Sequence, residues 1–171
     1  MKKSKYFLIP VIVIIFDQLS KIYIRSHMHP GESWYITPKF LWITFVQNTG
    51  AAFSFSLGSI ALNRILFSVI TFLAILALGY LVIKTHKKIE AICFSLIMGG
   101  AAGNLIDRIW LGKVTDFINC DFPDFIMERW PVFNVADSSI VIGVSLLVLY
   151  YLFFDREPKE QKAEKLESKK Q

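Results

Sequence analysis

Long uncharged apolar runs alternate along the chain with shorter polar stretches. Three of the runs, Ile65–Ile83, Ala91–Ile106 and Ser138–Phe154, contain no charged residue. A hydrocarbon core about 30 Å thick needs roughly 20 helical residues, so each run predicts a membrane-spanning helix once its flanks are added. A fourth run, Tyr6–Ile24, has the required length but carries Asp17 and Lys21. Such charges are tolerable within a span where they face protein or water rather than lipid. The first residues look like a secretory signal, with Lys2, Lys3 and Lys5 ahead of Tyr6–Phe16. No small-residue cleavage site follows, and the run continues into Asp17, so it reads as a retained first span.

Two connecting segments, Arg25–Ser59 and Gly112–Phe133, join spans one to two and three to four. Within the first, Trp34–Pro38 and Phe40–Val46 are rich in aromatic and β-branched residues and predict short strands interrupted at Pro38. Trp and Tyr favour the membrane interface, so a small sheet is expected to rest there. The expected architecture is an α-helical integral membrane protein with four transmembrane helices and a small extracytoplasmic β-cradle. One domain covers 1–154, with its outer β segment at about 30–59, and a charged cytoplasmic tail covers 155–171. No internal repeat is visible.

Composition supports this class: 54% of residues are hydrophobic and the mean hydropathy is +0.47. A net charge of +5 could suggest nucleic acid. No basic stripe with interleaved aromatics accompanies it, so nucleic acid is excluded as a partner. Instead Lys and Arg gather before Tyr6, between Lys84 and Lys88, and in the tail. The positive-inside rule then places both termini and the 84–88 turn in the cytoplasm. Cys93 lies in an apolar run and Cys120 in a connecting segment, so neither a disulfide nor a metal-ligand spacing is indicated.

Polar residues gather in one layer. At 1.5 Å per residue, Asp17 lies about 16 Å and Lys21 about 22 Å above Tyr6. Asn104 and Asp107 lie about 20 and 24 Å above Ala91, and Asp137 about 26 Å above Phe154. Three helices thus place costly polar groups in the outer half. Asp17 and Lys21, spaced i, i+4, suit either a stabilising ion pair or a substrate-orienting role. Gly99, Gly100 and Gly103 with Ala101 and Ala102 suggest a close-packing seam. Asn104, Asp107 and Arg108 continue that seam, as site groups or as a structural polar clamp. Ser138 and Ser139 read as helix-start residues.

Asp116 follows the third span and Asp137 opens the fourth, so the two can meet at the outer ends of adjacent helices. Two carboxylates in one site tend to share a proton, because both cannot ionise cheaply. The ionised member can take a proton from water while the other polarises a carbonyl, which is peptidase chemistry. If Asn134 caps the fourth helix, Asp137 sits in its first turn, where the dipole favours the anion. Asp116 is then the initial proton carrier.

Five motifs in register carry a resemblance. They are Asp17-Gln-Leu-Ser-Lys21, Gln47-Asn-Thr-Gly-Ala-Ala-Phe53, Gly99-Gly-Ala-Ala-Gly-Asn-Leu-Ile-Asp-Arg108, Val114-Thr-Asp-Phe117 and Phe133-Asn-Val-Ala-Asp-Ser138. Together they resemble the ordered motif set of bacterial lipoprotein signal peptidase, the type II signal peptidase. The resemblance implies an aspartyl peptidase of the bacterial inner membrane that needs no metal or cofactor. It would cut diacylglyceryl-modified prolipoproteins just before the lipidated cysteine, as a monomer in contact with membrane lipid, and be blocked by cyclic peptide antibiotics of the globomycin type. It makes Asp116 and Asp137 the dyad, with Asn48, Gly50, Asn104, Asp107, Arg108, Asn134 and Ala136 lining or supporting the site and Asp17 and Lys21 nearby. It also implies a short mobile helix within residues 30–59. Thr115 departs from the family's usual aliphatic residue, and Asn119–Pro131 is somewhat long and charged.

Three other readings compete. A proton-coupled carrier would use intramembrane Asp, Asn and Arg, but four short spans without a repeat, polar in one layer only, argue against it. A cysteine peptidase would need Cys120 with His27 or His29, a trio in no recognised motif. A non-enzymatic assembly factor would use the outer sheet.

Overall fold

A computed structural model describes residues 3–37, 40–49, 60–121 and 130–154. Gly50, the expected mobile helix so far as it falls in 50–59, the charged part of Asn119–Pro131 at 122–129 and the tail at 155–171 lie outside the described residues. A 3-10 turn at Lys3–Phe7 leads into α1 (Leu8–His27). Then come β1 (Ser33–Thr37), β2 (Leu41–Asn48), α2 (Ile60–Lys84), α3 (Lys88–Leu111), β3 (Val114–Cys120) and α4 (Val135–Phe153). The four helices are each long and apolar enough to cross a membrane.

The apolar faces divide between lipid and protein. On α1, Ile12, Ile15, Phe16 and Leu19 are exposed, whereas Pro10, Asp17, Lys21 and Ile24 are buried. Side chains exposed in this way suit lipid contact, since hydrocarbon is as apolar as they are. The central helix is α3, which packs on α1, α2 and α4. Its glycines make this possible: a Cβ at Gly99 would stand 2.8 Å from Pro10 Cα, and one at Gly103 would stand 2.5 Å from Asp17 Oδ2. The expected small-residue seam is therefore a packing seam, and at Gly103 it touches a buried carboxylate.

Helix α2 begins before Ile65 and takes in Arg64. The charge is accommodated because Arg64 Nε donates to Arg108 O at 2.8 Å and Nη2 to Ile109 O at 2.5 Å, satisfying carbonyls at the end of α3. Gly112 then stops α3 in the left-handed region, at φ 75°, and turns the chain into β3.

The sheet is antiparallel in the order β1-β2-β3. Strand β3 is more than the connection expected from sequence. Its first four residues, Val114 to Phe117, are all buried, so no polar alternation marks it as a strand. Phe45 and Phe117 pack on Ile24 and Met28, seating the sheet on the end of α1.

A register shift between Ile43 and Val46 sets what the sheet presents to the helices. Ile43 pairs with Ile118, but Val46 pairs with Asp116 and Asn48 with Val114, so β2 carries one extra residue. In regular register Phe45 would oppose Asp116, and Asn48 would point to the other face. The bulge turns Asn48 onto the face of Asp116.

Candidate active site

Asn134 is the hub of the site. It caps α4: its side chain accepts from Asp137 N at 2.9 Å, and the Asp137 carboxylate accepts from Asn134 N at 3.2 Å. This reciprocal capping box fixes Asp137 in the first turn of α4. Because Asn134 Oδ1 is held by a donor, Nδ2 is free to donate elsewhere. It donates to Asp116 Oδ1 at 2.6 Å and to Asn104 Oδ1 at 3.1 Å. One side chain thus touches both aspartates.

Each aspartate also has an amide of its own. Asn48 Nδ2 donates to Asp116 Oδ2 at 3.0 Å, and Asn104 Nδ2 donates to Asp137 Oδ1 at 2.7 Å. The orientation of Asn104 follows from Lys21, whose Nζ donates to Asn104 Oδ1 at 2.9 Å. An ammonium has only donors, so it faces the carbonyl and leaves Nδ2 for Asp137.

Below this layer lies a buried ionic group. Lys21, fully buried, stands 2.9 Å from Asp17 and 3.6 Å from Asp107. Asp17 Oδ1 accepts from Ala136 N at 3.0 Å, and Asp107 Oδ2 accepts from Thr115 N at 2.9 Å. Both expected roles of the Asp17–Lys21 pair coexist in the geometry: it is an i, i+4 ion pair, and it reaches the candidate site through Asn104. Ala136 contributes its backbone N–H and a methyl small enough to lie over Gly103. Arg108, half-buried, lies within electrostatic reach of Asp137, Asp116 and Asp107.

Asp116 is 2% exposed, and burial chiefly pushes its carboxyl up to about 6. Neighbouring Asp137 pushes the same way, while the Asn48 and Asn134 amides and Lys21 oppose. A carboxyl held there keeps its proton to a higher pH than an ordinary aspartate does and can give it up during a reaction.

Asp116, Asp137, Asn48, Asn104, Asp107, Arg108, Asn134, Ala136, Asp17 and Lys21 therefore gather at one end of the bundle, with the sheet at the same end. Gly50, the remaining expected site residue, lies outside the described residues. Three further contributors were not singled out from sequence. Gln18 donates to Asp17 Oδ2 and to Gly103 O, both at 3.0 Å. Arg25 Nη1 donates to Thr115 Oγ1 at 3.1 Å and lies 3.5 Å from Asp107. Thr115, the departure from the family pattern, supplies that hydroxyl. Arg25 had a readable signal: with Asp17 and Lys21 it repeats every fourth residue along one face of α1.

The cysteine alternative finds no support in this geometry. Cys120 pairs with Leu41 on the sheet, His27 stacks on Tyr23 at 4.2 Å, and the His29 backbone donates to Glu32. Both cysteines are free.

Residues 9–153 match the family model described as signal peptidase (SPase) II. The chain is 40% identical over 158 residues to a lipoprotein signal peptidase of Bacillus velezensis, covering 91% of this chain and 99% of that one. It is 38% identical over 159 residues to one from Enterococcus faecalis, covering 92% and 93%. A solved bacterial membrane enzyme superposes with a TM-score of 0.78 at 37% identity, covering 90% of this chain and 95% of that one. The chain belongs to the signal peptidase II family.

Proposed function

We propose that this membrane aspartic peptidase removes signal peptides from diacylglyceryl-modified prolipoproteins, cutting just before the lipidated cysteine, with Asp116 and Asp137 as its dyad. The observation that carries the reading is the shared contact of both carboxylates with Asn134. Asp137, fixed in the first turn of α4 by its bond from Asn134 N, is assigned the role of general base. Asp116, whose carboxyl burial pushes up to about 6, is the member assigned the shared proton. Asp137 takes a proton from water as the water attacks the scissile carbonyl, while Asp116 donates a hydrogen bond to the carbonyl oxygen. The tetrahedral intermediate collapses as a proton passes to the leaving amide nitrogen. Arg108, electrostatically coupled to both aspartates, is suited to steady the developing oxyanion.

The substrate class fits this placement. A lipid-anchored substrate keeps its acyl chains in the bilayer and its signal helix beside the enzyme, so its scissile bond lies near a membrane surface. Both chain termini lie in the cytoplasm on the positive-inside reading, which puts the dyad and the sheet at the outer surface of the bacterial inner membrane. Every residue invoked comes from one chain, so a monomer suffices. Cyclic peptide antibiotics of the globomycin type would act by occupying this site.

The test is reconstitution with a diacylglyceryl-modified prolipoprotein. Asp116→Asn and Asp137→Asn should each lower cleavage by at least about 100-fold, the scale of lost acid–base catalysis. Cys120→Ala and added chelator should leave it intact. Cleavage surviving in both Asn variants would overturn the dyad, and chelator-sensitive cleavage would point to a metal enzyme.

A further inference from the structure

The end of the bundle opposite the sheet holds a second concave site. A cavity of about 200 Å³ lies between the 3-10 turn, the end of α2 and the start of α3. Lys3, Tyr6, Thr85, His86, Lys87 and Lys88 line it, and no carboxylate does so among the described residues. Glu90, the acid of the α3 first turn, does not line the cavity but is bonded to two residues that do, Thr85 and Lys87. It accepts from Thr85 Oγ1 and from the Tyr151 hydroxyl at 2.6 Å, and it pairs with Lys87 at 3.5 Å.

The cavity's positive charge is only partly used. Lys3 Nζ donates to Ile83 O and to Thr85 O at 2.7 Å, closing the end of α2 and drawing the 3-10 turn across the cavity. His86 and Lys88 make no hydrogen bond or ion pair among the described residues. Helix α3 opens at the same place without a side-chain cap, because its cap residue is Lys87. Its first-turn N–H groups and dipole therefore add to the lysines' field for an anion. Membrane topology alone needs only scattered lysines near the helix ends. A concave set of three lysines with no acid among its described lining residues is a more specific arrangement.

We propose that this cavity binds a phosphate anion through Lys3, Lys87 and Lys88 at the start of α3. The anion is either the headgroup phosphate of an anionic phospholipid or free phosphate. The first source is at hand, because the cavity lies where helix ends meet the membrane surface and basic pockets between helices suit anionic headgroups.

Native mass spectrometry of the full chain in detergent, titrated with phosphatidylglycerol and in parallel with phosphatidylcholine, tests this. Phosphatidylglycerol should bind more tightly, and each of Lys87→Gln and Lys88→Gln should weaken it about fivefold. Lys88→Arg should retain binding. Exposed Lys88 is the cleaner position, and unchanged thermal unfolding of its variants separates lost binding from lost fold. Lys5→Gln, just outside the cavity, should change little. Displacement of the lipid by inorganic phosphate would assign the site to free phosphate; persistence of the lipid would assign it to the headgroup. Equal binding of the two lipids, or equal weakening by Lys5→Gln and Lys88→Gln, would overturn the proposal in favour of a diffuse basic surface.

Discussion

Asp17 accepts the backbone N–H of Ala136 at 3.0 Å, tying α1 to the residue that precedes Asp137. Asp107 does the same for Thr115, the residue that precedes Asp116, at 2.9 Å. Lys21 lies between the two anchors, 2.9 Å from Asp17 and 3.6 Å from Asp107. Each proposed catalytic aspartate is thus held through its neighbour's backbone by a buried carboxylate; Lys21 faces both carboxylates, and Arg25, 3.5 Å from Asp107, supplies the second cation.

Asp17→Asn preserves an oxygen for Ala136 N–H but removes a charge that balances Lys21. Breaking one side of a buried pair costs up to about 3–5 kcal/mol; Asp107 still faces Lys21 at 3.6 Å and softens the loss, so thermal unfolding in detergent should shift downward by less than that full cost. A displacement of the dyad on the order of 1 Å lowers turnover on the order of 100-fold, so kcat should fall while KM changes little. Adding Lys21→Met removes the cation left with half its partners, and Arg25 still faces Asp107, so the double variant should regain much of the stability. Cleavage should stay low, because Asn104 has lost the donor that orients it. Recovery of cleavage together with stability would show that the pair only holds the fold.

Gly103→Ala probes the same region from α3. The new methyl would lie 2.5 Å from Asp17 Oδ2 and 3.3 Å from Ala136 Cβ, so Asp17 or α4 must move. Overpacking of this kind costs about 1–3 kcal/mol, and here it should also depress cleavage. Gly79→Ala is the control, since among the described residues its methyl would meet only Met98 Sδ, at 3.7 Å. Parallel melting curves and cleavage rates check the pair; equal effects at the two glycines would remove the special role given to Gly103.

The helices were legible because lipid imposes a simple rule, that a long uncharged run spans. The exceptions were informative for the same reason: Asp17 and Lys21 stood out as costly, and they are buried in the site's ionic group. The start of α2 was not readable, because the contact that accommodates Arg64 within it, to the carbonyls of Arg108 and Ile109 on α3, is tertiary. Strand β3 was missed because burial on both faces erases alternation. The bulge that turns Asn48 toward Asp116 leaves no local signature, since it depends on how β2 pairs with a strand far along the chain. Of the site's hub, the residues gave the capping role of Asn134 and the resemblance gave its place at the site; its bond to Asp116 arises from bringing β3 beside α4.

The pH dependence of cleavage should report the Asp116 environment. Burial holds this carboxyl at about 6, and the Asn48 amide, 3.0 Å from Oδ2, opposes the rise by favouring the carboxylate. As pH climbs through that value the free enzyme loses the proton proposed to polarise the substrate, so kcat/KM should fall along an alkaline limb. The limb belongs to the coupled pair rather than to Asp116 alone. Asn48→Ala removes a bond to the charged form, so the proton is retained to higher pH. The alkaline limb should therefore move upward, even if the maximal rate drops through looser positioning. Profiles of kcat/KM against pH for the two proteins decide the matter. An unmoved limb, or one displaced to lower pH, would mean that Asp116 is not the group that carries the shared proton.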